Sequence, residues 1–139
     1  MTLLEKINNL TWYDLINKLK DILKGLAGQG GDSRPYKVYT ALLTQSGTDA
    51  PVATVLENTL GVDIEWSRLS EGYYRGTPSQ AIFDETKTFH FVNSNNQGYQ
   101  FEVASQLEAN DDWRISTFKG ASTSDSSLRK LPIEIRVYS

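Results

Sequence analysis

The sequence predicts a mainly β protein, an antiparallel β-sandwich or jelly-roll-like domain preceded by an N-terminal amphipathic α-helical arm. Three observations carry this reading. Apolar residues recur at helical spacing as far as Leu26, glycines cluster between Gly25 and Gly31, and from Tyr36 onward the apolar period becomes two.

The arm spans residues 1–27. Two hydroxyl residues stand three positions ahead of an acid, Thr2 before Glu5 and Thr11 before Asp14, a pattern that satisfies free amide donors at a helix start. After Thr11, the residues Trp12, Leu15, Leu19, Ile22 and Leu26 follow a 3, 4, 3, 4 spacing, which draws one stripe along a helix. Ile16 and Leu23 widen the stripe, while Lys18, Lys20, Asp21 and Lys24 form a polar back. Leu3, Ile7 and Leu10 make a shorter stripe out of register with it, which places a break near Thr11. The helix stops where Gly25, Gly28, Gly30 and Gly31 lead into Pro35, so residues 28–35 read as a Gly-rich linker.

The β domain covers residues 36–139. Its candidate strands are 36–45, 52–58, 63–69, 73–77, 87–93, 99–105, 113–119 and 131–138, all rich in Val, Ile, Thr and aromatic residues. The connectors are turn-like, among them 46–49, 70–72, 93–98 and the longer polar stretch 120–127. No connector leaves room for the helical crossover that a parallel sheet demands. Pro51 and Pro132 stand at strand beginnings, where a missing amide donor costs little.

Composition narrows the function. The chain has no cysteine, which removes disulfides, thiol nucleophiles and cysteine-type zinc sites. The formal charge is −3 with no run of lysine or arginine, so nucleic acid is not an expected partner. Residues 1–27 hold four lysines against Glu5, Asp14 and Asp21, net +1, which leaves −4 on the remainder. No window reaches the roughly 20 apolar residues of a membrane span, and the start of the chain lacks the pattern of a secretory signal.

Candidate chemistry is sparse. His90 is the single histidine and projects opposite Phe89 and Phe91, without the partners a triad or His-rich metal site needs. Asp63 with Glu65 would share a strand face, compatible with paired-acid chemistry, and Asp111 with Asp112 could border a cation, although acids beside turns are ordinarily solvated. No phosphate loop or nucleophile elbow is present, so no catalytic residue, metal or cofactor is expected. Trp66, Tyr73, Tyr74, Tyr99 and Trp113 could supply rings for a sugar platform, most of them going to the core. The candidate ligand surface is therefore Tyr73 and Tyr74 with the loop residues Asn95 and Asn96.

The stripe is the most informative feature. It either packs on its own β domain or meets copies of itself or a partner, and the glycines beside it favour the second. Burying its five side chains would contribute on the order of 10 kcal/mol before entropy costs, at roughly 1.5 to 3 kcal/mol each. Trp12, Leu15, Leu19, Ile22 and Leu26 are thus the expected oligomerisation or anchoring residues.

The blocks PYKVYTALLTQSG from Pro35 to Gly47, APVATVLENTLG from Ala50 to Gly61, and IEIRVY from Ile133 to Tyr138 resemble a domain of small bacteriophage and prophage proteins, especially of phages infecting Bacteroidota. The resemblance spans nearly all of residues 35–138. It implies a virion component such as a spike, head fibre or decoration protein, commonly a symmetric β-rich oligomer, and it transfers no catalytic residue. Residues 1–34 lie outside it and fit an adaptor to other virion proteins. The expectation is a phage structural protein of the virion, made in the bacterial cytoplasm and assembled as a homo-oligomer, with a trimer favoured. Two other readings stand beside it: a carbohydrate-binding module contacting a host-surface glycan, and a glycan hydrolase using Asp63 and Glu65.

Overall fold

A computed structural model describes residue 2 and residues 11–29, 33–93, 101–108, 111–125 and 128–139. The chain divides into two compact units, Met1–Arg34 and Pro35–Ser139. The pairing of Thr2 with Glu5 and the Leu3, Ile7, Leu10 stripe fall outside the described residues, as do Asn95, Asn96 and Tyr99.

In the first unit, helix α1 runs Trp12–Gln29. Its start is the reciprocal box that the spacing predicts. The Asp14 carboxylate accepts from the Thr11 amide at 3.1 Å and from the Thr11 hydroxyl at 2.6 Å, while the Asp14 amide donates back to the Thr11 hydroxyl at 3.2 Å. These bonds favour the ionised acid and hold the Asp14 pKa below its ordinary value.

The second unit is an antiparallel β-sandwich, as the period-two pattern predicts. Its strands are β1 (Tyr36–Thr44), β2 (Val52–Asn58), β3 (Ile64–Ser70), β4 (Tyr73–Pro78), β5 (Thr88–Val92), β6 (Phe101–Leu107), β7 (Trp113–Lys119), β8 (Ser122–Thr123) and β9 (Leu131–Tyr138). One sheet has the order β2-β1-β9-β5 and the other β3-β4-β7-β6, with β8 paired to the end of β7. The short β8 was not expected: its two residues lie within the polar stretch read as a loop.

The core lies between the sheets. Tyr39, Ala41 and Leu43 of β1 and Leu131, Ile133 and Ile135 of β9 face Trp66 of β3, Tyr74 of β4 and Trp113 and Ile115 of β7. Each set repeats every second residue, which is why the chain reads as strands. Leu60, Val62 and Leu128 close the ends from loops. Trp66 and Trp113 meet at a centroid separation of 5.6 Å and an interplanar angle of 60°, a tilted packing that aromatic rings favour. Thr117, fully buried, donates from its hydroxyl to the Ser124 carbonyl at 2.5 Å.

Candidate functional site

Among the described residues, two exposed apolar surfaces and one half-buried polar cluster are the places where the chain can act. The first surface is the α1 stripe. Trp12, Leu15, Leu19, Ile22 and Leu26 lie on one side of the helix and are 42–79% exposed. Tyr13, Ile16 and Leu23 are exposed beside them. The capping box fixes where the helix begins, and the 3, 4, 3, 4 spacing therefore aligns the five side chains. Among the described residues no helix is long and apolar enough to cross a membrane.

The expected ligand surface does not assemble. Tyr74 is corrected: its ring is fully buried, and its hydroxyl donates to Gln45 Oε1 at 2.6 Å and approaches Asp125 Oδ1 at 3.1 Å. The physical reason is the phase of β4, which turns Tyr74, Gly76 and Pro78 inward together. Burial pushes the Tyr74 phenol pKa up. Tyr73, on the opposite face, is half-buried and set edge-on to Phe118 at 6.4 Å. Trp66 and Trp113 belong to the core. Asn95 and Asn96, as noted, lie outside the described residues.

The second surface was missed in the sequence: the outer face of the sheet β2-β1-β9-β5. Its register sets Tyr36 beside Tyr138, then Arg136 and Phe89 in a row with the buried Val38, then Thr40, Glu134 and Phe91, then Thr54, Leu42 and Pro132. Phe89 and Phe91 are each 51% exposed. The Arg136 guanidinium stands 4.8 Å from the Tyr36 ring centroid and 5.8 Å from that of Phe89, and Arg136 Nε donates to Glu134 at 2.5 Å. A shallow cleft of about 170 Å³ follows, lined by Thr40, Leu42, Leu56, Phe91, Pro132 and Glu134. Rings, one fixed guanidinium and one carboxylate on a rigid sheet make a surface suited to docking. The signal was available, because Phe89 and Phe91 alternate out of phase with His90 while Tyr36 and Leu42 alternate out of phase with the core-forming Tyr39 to Leu43.

The polar cluster ties the loop after β8 to the β3–β4 hairpin. The Asp125 carboxylate accepts from Arg68 Nε at 3.0 Å, from its terminal nitrogen at 2.7 Å and from the Gly72 amide at 3.0 Å, beside the Tyr74 hydroxyl. This donor set, with Arg68 foremost, holds the Asp125 pKa down to about 2. A cleft of about 290 Å³ opens next to it between Gln45, Gly47, Asp125 and Arg129. With every Asp125 bond spent on the fold, the cluster acts as a clamp.

The remaining candidates also have structural occupations. His90 Nδ1 lies 2.8 Å from Ser105 Oγ, linking β5 to β6, and its ring rests 6.1 Å from Trp113. Burial alone lowers its pKa, with no carboxylate contributing. Asp111 Oδ2 accepts from the Ile82 amide at 2.6 Å and its other oxygen from the Phe83 amide, while Asp112 pairs with Arg75 at 3.3 Å. Asp63 precedes β3 and Glu65 lies within it. Among the described residues no group of three or more His, Cys, Asp or Glu side chains could hold a metal ion. The chain matches no protein-family model, no curated protein and no solved structure.

Proposed function

We propose that the protein is a bacteriophage virion structural protein of the spike, head-fibre or decoration type, which assembles through α1 and displays its β-sandwich. The observation that carries the assembly role is the exposed stripe of Trp12, Leu15, Leu19, Ile22 and Leu26 on a capped helix. A continuous apolar face of this kind is covered in solution by another protein surface. The resemblance of residues 35–138 to phage proteins supplies the virion context, and other virion proteins are the partners beyond the homo-oligomer.

The full chain is expected to run as an oligomer by size exclusion with light scattering. Leu19→Glu with Ile22→Glu should weaken that association by at least about a hundredfold, since two buried aliphatic side chains are replaced by charges. A full-length chain that is monomeric across the accessible concentration range rejects the role assigned to α1. Mass spectrometry of purified particles then tests the virion assignment separately.

A second reading, attachment to a host-surface glycan, is favoured by the outer-face rings. Phe89, Phe91, Tyr36 and Tyr138 offer flat apolar faces, and Arg136 with Glu134 offers hydrogen-bonding groups between them. On a glycan array, Phe91→Ala should remove any binding shown by the full chain. Absence of binding by the unaltered chain rejects this reading and leaves the assembly role standing.

A further inference from the structure

Among the described residues four strands form the lateral edges of the sandwich, and they are not equally protected. β5 and β6 approach each other, joined by the contact between His90 and Ser105 at 2.8 Å. β3 carries Glu65 and Arg68, the latter tied to Asp125, and its pairing with β4 is interrupted by a register shift between Arg68 and Ser70. Charges and irregularities of this sort keep an edge from pairing with another strand.

β2 has little such protection. Among the described residues only β1 pairs with it. Its segment Val52–Leu56 contains no charge and no proline, and Glu57 is the strand's single ionisable group. Val52 is 68% exposed, Leu56 65% and Val55 50%, so the strand shows apolar side chains to solvent on both of its faces. The register shift opposite Thr40 and Ala41 falls at Leu56, which leaves Val52–Val55 as a regular run facing Leu43 and its neighbours. An unpaired row of amides and carbonyls with β-branched side chains is a template for one more strand.

We infer that β2 is a pairing edge whose occupant is β2 of a second copy, antiparallel across a two-fold axis. The charge pattern selects this occupant. With Thr54 opposite the partner's Thr54 and Ala53 opposite the partner's Val55, the uncharged run meets itself, and Glu57 falls opposite the partner's Pro51. No like charges face each other in this register, a condition that strand pairs need. The pairing joins two four-stranded sheets into one of eight. It also sets the two Leu56 side chains near the seam, where each already borders the apolar cleft with Leu42 and Phe91. A two-fold contact of this type is self-complementary and closed, and it is independent of α1.

The test uses the full chain carrying Leu19→Glu and Ile22→Glu, so that association through α1 is removed. In this background the protein is expected to dimerise by light scattering as concentration rises. The β2 amides not bonded to β1 should exchange more slowly in the concentrated than in the dilute sample. Adding Thr54→Lys, at an exposed position where an edge lysine is tolerated, should raise the dissociation constant by at least about tenfold. Val52→Lys should act in the same direction, and an unchanged far-ultraviolet spectrum and thermal midpoint exclude unfolding as the cause. A background that stays monomeric at every concentration, or a dimer that neither lysine weakens, overturns the inference.

Discussion

Trp113→Ala is expected to destabilise the protein by about 4 kcal/mol, the largest loss from any single side chain in the sandwich. Trp113 is fully buried at the centre of the core, with Trp66 at 5.6 Å on one side and His90 at 6.1 Å on another. It is also the first residue of β7, the strand that pairs with both β4 and β6. Truncation leaves a void that these rigid neighbours cannot close, so a cavity term adds to the lost burial. Trp113→Phe separates size from polarity. Among the described residues the indole N–H has no hydrogen-bond partner, so removing it relieves an unsatisfied donor and offsets part of the lost volume. The phenylalanine variant is expected to lose about 1 kcal/mol. Urea denaturation measures both, and a midpoint for the alanine variant near that of the unaltered protein would show that the core does not depend on this ring.

The helix and the strands were legible because their signals are local. The Thr11–Asp14 box lies within three residues, and the alternation of Ile133, Ile135 and Val137 is visible without knowing what they pack on. Strand β2 begins and ends where the sequence placed it, and β3 starts at Ile64, one residue after the expected Asp63. The error at Tyr74 has a definite cause. The inward face of β4 runs Tyr74, Gly76, Pro78, and glycine gives no apolar signal. Gly76 is buried because the Trp66 ring lies against it: a Cβ there would meet ring atoms at 3.0 and 3.1 Å. With that phase hidden, nothing in the sequence told Tyr74 from Tyr73. Nor could it show that Arg68 meets Asp125, which are 57 residues apart. The outer aromatic face escaped for a related reason, because strands apolar on both faces read as core.

Asp125→Asn should destabilise the protein by about 2 kcal/mol at neutral pH, and its effect should vanish in acid. The carboxylate gathers three donors, two from Arg68 and one from the Gly72 amide, with the Tyr74 hydroxyl oxygen 3.1 Å away. An amide at this position loses the charge and turns a donor toward groups that are themselves donors. The turn beneath it has no freedom to adapt. Gly72 has a positive φ of 71°, and a Cβ there would stand 2.6 Å from the Thr117 carbonyl oxygen and 2.7 Å from the Ser124 amide. The hairpin can therefore hold its position only with the amide of Gly72 aimed at Asp125. The sign of the pH effect follows from the lowered pKa. In the unfolded chain the acid titrates near 3.8, and in the fold at about 2, so the unfolded state takes up the proton first. The stabilisation is complete above pH ~4 and is lost as pH falls toward ~2. With the pair 18–23% exposed, solvent screening reduces this contribution to about 1–2 kcal/mol. Urea midpoints recorded between pH 2 and pH 6 should fall more steeply for the unaltered protein than for Asp125→Asn. Coincident curves would mean that the carboxylate makes no difference to folding and that the hairpin is held by Thr117 and the core alone.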